Sequence, residues 1–231
     1  RDYKGYCFPF EDIAKELYRV TKQGGVVVWV VGDATSEGSE TGSSFKQVLF
    51  FMECGFNLHD TMIYSKAGFA FPSNDRYHQT FEFMFVLSKG KPKTFNPIKD
   101  RRNIYDVIGG DCKRQKDGTM KKGNNGGLAL EEFGQRYNVW HYKIGGGNVT
   151  KDECAYEHPA IFPELLAFDH IKSWSSENDL VYDCFMGSGT TAKAAIAANR
   201  KYIGSEISKE YYDIIQKRLQ PMLNNLFTQS V

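Results

Sequence analysis

The sequence contains no Cys-x-x-Cys pair, and its five cysteines (Cys7, Cys54, Cys112, Cys154 and Cys184) stand far apart. An odd, unpatterned set argues against a disulfide framework or a zinc site of ordinary spacing and fits reduced thiols. No apolar run approaches the length of a membrane span, and no secretory leader is visible. Neither sign of charge dominates: 29 basic against 28 acidic residues leave a formal charge of +1, so affinity for a polyanion must be sought locally. Internal repeats and low-complexity tracts are absent too. At 231 residues the chain is long enough for one large domain, or one domain with a substantial insertion.

What is present is a broken α/β rhythm. The spacing of Phe10, Ile13, Ala14, Leu17 and Tyr18 predicts a helix over 10–22, stopped by Gly24-Gly25. The run VVVWVV (26–31) predicts a strand covered on both faces, as in a parallel sheet. A polar loop and an amphipathic helix carrying Phe45, Val48, Leu49, Phe51 and Met52 follow, then two strands in NLHDTMIYSK and TFEFMFVLSKG. From about 90 to 157 long periodic segments vanish, and within 99–122 eight basic residues face four acids. Regular order resumes at HPAIFPELLAFDHIKSWS, followed by the strand DLVYD, a glycine loop, a helix over 190–199, the strand KYIGSE and a last helix near 208–220.

The stretch DCFMGSGTT (183–191) holds the clearest chemistry. Gly187 and Gly189 let the backbone turn sharply after a strand and approach a ligand closely. The helix that follows aims its positive dipole end at the same place. Glu206 ends the next strand, 17 residues beyond Gly189, where a carboxylate can accept bonds from ribose hydroxyls. A phosphate-cradling P-loop is excluded, because no lysine follows these glycines in the frame GxxxxGK[ST]. A dinucleotide and S-adenosylmethionine both remain, since glycine spacing alone does not separate them.

Neighbouring segments do separate them. DCFMGSGTT with YIGSEISKEYYDIIQKRL resembles the cofactor motif of amino-group DNA methyltransferases, where D-P-F-x-G-S-G-T-T is usual, and HPAIFPELL resembles the segment packing on the methionine end of the cofactor. Cys184 stands where proline is usual, and Ser205 just before the acid is a second departure. The likeness continues through LYRVTKQGGVVVWVVGD and FEFMFVLSKGKPKTFNPI, in the motif order of the β subgroup. It implies the class I S-adenosylmethionine-dependent methyltransferase fold, a doubly wound, mostly parallel sheet, in permuted order with a basic irregular insert. Three regions are expected: 1–89, the catalytic half; 90–157, the target-recognition insert; and 158–231, the cofactor half. The implied cofactor contacts are His158, Pro159, Ala160 and Phe162 at the methionine end, with Asp183, Phe185, Gly187, Gly189, Thr190 and Glu206 around the loop.

The family's catalytic signature, [D/S]-P-P-[Y/F], appears nowhere, for the seven prolines include no Pro-Pro pair. Because family members run from that signature into a segment like RDYKGY, it is expected upstream of Arg1, and no catalytic atom can be named within these residues. The reaction implied is transfer of a methyl group to the amino group of a flipped-out adenine (N6) or cytosine (N4). Double-stranded DNA is then the partner. The expected contacts are Arg101, Arg102, Lys113, Arg114, Lys116, Lys121, Lys122, Arg136 and His141, with Tyr137 and Tyr142 beside them and Lys66 and Lys89 at the strand ends. A homodimer and a restriction endonuclease are further partners the resemblance leaves open, and it implies a cytoplasmic enzyme of bacterial, archaeal or phage origin. An NAD-dependent oxidoreductase and a catalytically inactive DNA-binding subunit are the alternatives.

Overall fold

The computed structural model describes residues 8–68, 74–110, 112–123, 126–145 and 147–228, so RDYKGY and Cys7 lie outside the described residues. The chain divides into two compact units, one made of Arg1–Asn96 with Asn138–Val231 and the other of Pro97–Tyr137.

In the larger unit, helix α1 (Phe10–Val20) places Glu11 and Asp12 in its first turn and Arg19 in its last, as the helix dipole favours. Its inner face buries Ala14 and Leu17, and it stops where the Thr21 N–H and hydroxyl both donate to Leu17 O. Strand β1 (Val26–Val31) follows, then a two-residue hairpin of β2 (Thr35–Ser36) and β3 (Ser39–Glu40). Helix α2 (Ser43–Glu53) starts where Asp33 accepts the Ser44 N–H at 3.0 Å and the Ser43 hydroxyl at 2.9 Å. Strands β4 (Asn57–Lys66) and β5 (Phe81–Ser88) form an antiparallel pair, and β5 also pairs antiparallel with β1.

Phe51, fully buried, meets Phe10, Trp29 and Phe56 edge-on with centroids 5.0–5.8 Å away, so α1, α2 and the sheet share one aromatic core. Burying a ring of that size is worth roughly 1.5–3 kcal/mol.

The smaller unit holds β6 (Lys99–Arg102), the hairpin of β7 (Cys112–Arg114) with β8 (Met120–Lys122), and β9 (Phe133–Gln135), which pairs with β6. None of its described residues is buried. Polar contacts hold it instead: Arg136 grips Asp100 through Nε and Nη2, Lys99 meets Glu131 at 2.6 Å, and Arg101 lies 4.7 Å over the Tyr137 ring.

Back in the larger unit, β10 (Val139–Tyr142) pairs parallel with β4, completing a sheet in the order β1-β5-β4-β10. A 3₁₀ turn (Glu153–Glu157) leads to α3 (Glu164–Trp174). Strand β11 (Leu180–Asp183), α4 (Thr190–Ala197) and β12 (Lys201–Gly204) form a crossover unit with β11 and β12 parallel, and α5 (Lys209–Thr228) follows. The alanines of α4 let α3 approach closely, burying Ala167, Ile171, Ala194 and Ala195 together.

The four-stranded sheet is mixed rather than mostly parallel. β4 reaches β5 through a loop with no intervening helix among the described residues, and such a connection returns the chain antiparallel. The stretches flanking the smaller unit, up to Asn96 and from Asn138, belong to the larger one, where Asn96 bonds Ser173 O and Asn138 O accepts the Ile63 N–H.

Candidate functional site

Parallel pairing of β11 with β12 sets Asp183 opposite Gly204, so the loops leaving both strands emerge side by side. Asp183 Oδ1 accepts the Phe185 N–H at 2.9 Å and bends the chain into the glycine loop. Glu206 reaches back across it, with Oε2 accepting the Gly187 N–H at 2.7 Å and Oε1 the Ser208 N–H at 2.8 Å. The carboxylate thus ties the loop to the start of α5, and each oxygen keeps a further lone pair for a ligand hydroxyl.

Gly187 and Gly189 both have positive φ, +51° and +82°. Their space is shared with protein as well as cleft. A Cβ on Gly187 would stand 3.2 Å from His158 Nε2, and one on Gly189 would stand 3.1 Å from the Ile215 side chain. Gly189 therefore serves the packing of α5 against the loop, and it is absent from the cleft's lining.

His158 follows the 3₁₀ turn. Its Nδ1 accepts the Ala160 N–H at 3.1 Å and its ring lies 4.2 Å from that of Tyr211. Burial holds the imidazole below its ordinary value, against the pull of Glu206. With Nδ1 accepting, the neutral ring carries its proton on Nε2.

These groups face one cavity of about 1510 Å³. His158, Pro159, Ala160, Phe162, Asp183, Phe185, Gly187, Thr190 and Glu206 line it, nine of the ten residues expected at a cofactor. Sequence reasoning missed the opposite wall, which is β1 along its whole length together with Phe8, and it missed Tyr211. The Phe8 and Trp29 rings stand 5.6 and 6.3 Å from that of Phe185, a proximity that no local pattern signals.

The cavity exceeds the roughly 300–1,000 Å³ of a small-molecule pocket. Two of the strands that line it have an open edge. Among the described residues β1 pairs only with β5 and β11 only with β12, and both strands line the cavity. Two buried side-chain atoms, His170 Nδ1 and Trp174 Nε1, have no hydrogen-bond partner among the described residues; they lie one turn apart on α3, and both residues line the same space.

The expected DNA contacts fall into two sets. Lys113, Arg114, Lys116, Lys121 and Lys122 are exposed on the β7–β8 hairpin and its turn, with Lys113 directly opposite Lys121. The others lie elsewhere in the fold. Lys89 donates to Tyr18 O at 2.8 Å and sits 4.3 Å over its ring, and Lys66 pairs with Glu82. Arg136 holds Asp100, Arg101 donates to Gln135 O, and Arg102 lies 3.9 Å from Glu132. His141 is exposed on β10, while Tyr142 donates to the Asp169 carboxylate at 2.7 Å in the interior.

A family described as DNA methylase (N6 and N4) matches residues 1–217. The orphan methyltransferase M.BamHII of Bacillus amyloliquefaciens is 58% identical over 223 residues, covering 95% of this chain and 84% of that one. The type II methyltransferase M.MthZI of Methanothermobacter thermautotrophicus is 25% identical, and the match spans 96% of this chain but only 61% of its own length. Among solved structures, the cytosine-N4-specific PvuII DNA methyltransferase superposes with a TM-score of 0.66 at 20% identity, over 94% of this chain and 73% of that one. The M1.HpyAVI complex with S-adenosylmethionine gives 0.62 at 22% identity, over 90% and 81%. At these identities the two structures speak for the fold alone.

The buried His170 ring yields a pH prediction. Its imidazole, 6% exposed and 4.5 Å from Trp140, is pushed down by burial to about 3 from an ordinary 6.5. Between those values the unfolded chain binds the extra proton, so stability is complete above about 6.5 and is lost as pH falls towards about 3. The slope contributed is at most about 1.4 kcal/mol per pH unit. Denaturant melts across this window should show a shallower slope for His170→Met, and equal slopes would refute a neutral buried ring.

Proposed function

Because the chain belongs to the DNA methylase family of S-adenosylmethionine-dependent amino-group methyltransferases, we propose that residues 158–162, the glycine loop and Glu206 hold that cofactor for methylation of adenine N6 or cytosine N4 in duplex DNA. The observation carrying this reading is convergence. A wall over 40 residues from Glu206 in sequence lines the same cleft as the loop and the acid. A dinucleotide site gives no reason for that wall.

Glu206 accepts the ribose hydroxyls, Phe185 offers an apolar face to the adenosine, and His158 to Phe162 enclose the methionine end. When bound, the cofactor supplies an electrophilic methyl group. The chain's contribution is orientation and exclusion of water, which can account for much of a displacement's acceleration. A strand carrying the [D/S]-P-P-[Y/F] signature would find free edges to pair with at β1 and β11, and one running parallel to β11 would end beside the glycine loop. The polar atoms of His170 and Trp174 would find partners on such a segment. The target base must leave the duplex to reach this depth.

The β7–β8 hairpin is the proposed DNA-contacting element, since a two-stranded ribbon fits the major groove and five basic side chains line this one. The 58% identical relative carries the name of an orphan methyltransferase, which favours work without a dedicated endonuclease. A DNA substrate, with bacterial and archaeal relatives, favours work in the cytoplasm.

The test of function is direct. The full-length protein, unmethylated DNA and labelled S-adenosylmethionine are incubated, and nucleosides from the digest are resolved by mass spectrometry. Methylated adenine or cytosine is expected; neither base across varied DNA would overturn the reading. Glu206→Ala should weaken cofactor binding by about tenfold in calorimetry, the worth of one charge-assisted hydrogen bond, and an unchanged Kd would remove Glu206 from the site.

Replacing Lys113, Arg114 and Lys116 together by glutamine tests the hairpin. The slope of log affinity for DNA against log salt should flatten by up to about 2.7, roughly 0.9 for each phosphate no longer neutralised. An unaltered slope would take the hairpin out of the interface.

A further inference from the structure

Three side chains share one stripe of α5, at positions 211, 215 and 218, and each meets a different segment around the cleft. Tyr211 lies against His158, and Ile215 fills the space that Gly189 leaves. Arg218 is the third. Its side chain has 0% exposure, yet it carries a full charge.

The partners of that guanidinium bracket both walls. Nε donates to Asp152 at 2.9 Å and Nη2 to Glu164 at 2.6 Å. Asp152 precedes the 3₁₀ turn that delivers His158, and Glu164 opens α3 immediately after Phe162-Pro163. One side chain thus holds both ends of the 158–163 segment. Nη1 meanwhile donates to Ser188 O at 2.6 Å, to Ser188 Oγ at 3.1 Å and to Thr190 Oγ1 at 3.2 Å, fixing the glycine loop from beneath. Lys193 binds the same carboxylates at 2.6 and 2.9 Å, but among the described residues its ammonium makes no bond to the loop.

We infer that Arg218 is a positioning residue for the cofactor cleft, a buried fork that sets the glycine loop and the 158–163 wall at the separation the cofactor requires. This rests on the S-adenosylmethionine reading. The planar fork matters because one ammonium cannot serve two carboxylates and a carbonyl in three directions with the same geometry. Arg218 touches no reacting atom, so its loss should act on cofactor binding and leave the chemical step alone.

The experiment compares three full-length proteins. Calorimetry gives the Kd for S-adenosylmethionine, thermal melts give stability, and methylation assays give kcat and KM for cofactor and DNA. Arg218→Lys keeps the charge and loses the fork; its Kd and cofactor KM should rise about tenfold, with kcat and the DNA KM within about twofold of the parent. Lys193→Met disturbs the same carboxylates without reaching the loop, and its Kd should stay within about twofold of the parent.

Equal cofactor affinity in Arg218→Lys and the parent overturns the inference. So does an equal loss in both variants, which would mean that the carboxylates' charge alone shapes the cleft. Should Arg218→Lys not fold, Glu164→Gln takes its place, since it loosens the fork while keeping a neutral acceptor. Its Kd should rise at least about threefold, and an unchanged value overturns the inference equally. A parent protein that binds no S-adenosylmethionine fails the cofactor reading itself, and the inference falls with it.

Discussion

A guanidinium without exposed surface must be met by acceptors on every side, because an uncompensated charge in the interior costs several kcal/mol. Arg218 imposes that constraint on the larger unit. Its five donors draw in a loop, a 3₁₀ turn and two helix starts that are distant in sequence. The two carboxylates it engages would themselves be costly without it, so neither side of the arrangement is stable alone. Burial opposes ionisation of Asp152, but hydrogen bonds from Lys193 and Arg218 outweigh it and hold the carboxyl below its ordinary range. The cluster of two cations and two anions is neutral as a whole, which is why it can lie beneath a ligand cleft without setting the sign of the cleft's field.

Above that cluster, parallel strand pairing decides where the chemistry sits. A parallel pair needs a crossover, here α4, and the start of α4 must then stand at the C-terminal end of β11. The next strand ends beside it and delivers Glu206 to the same edge. Loop, helix start and acid are therefore one consequence of a single pairing. The permuted chain order changes when this unit is made, and the local geometry is indifferent to that.

Much of this was legible because it is local. VVVWVV reads as a strand through its unbroken β-branched and aromatic run, NLHDTMIYSK and TFEFMFVLSKG read as two more, and the structure places β1 and β4 on the expected residues. What escaped was set by distant partners. β10 has four residues, and its only mark is a ladder with β4 some seventy positions earlier. A basic residue in IIQKRLQ reads as solvent-facing, and Arg218 is interior only because acids at 152 and 164 arrive there. The bond from Lys89 to the helix-end carbonyl of Tyr18, 71 positions earlier, is likewise invisible in the sequence. The direction of pairing in the four-stranded sheet was also hidden, since covered strands look alike whether parallel or antiparallel.

The smaller unit follows a different physics. Without a buried residue among those described, its order depends on ladders and ion pairs, and two-stranded ladders are marginal in water. Lys113 opposite Lys121 adds a like-charge pair across the hairpin, which is destabilising in isolation. Salt therefore acts on this hairpin with opposite signs. It screens the internal repulsion and favours the folded ribbon, while it weakens attraction to a polyanion. Phosphates of the proposed DNA partner would screen that repulsion without such a loss. On the proposal that this hairpin contacts DNA, its binding and its folding would be coupled through the same charges.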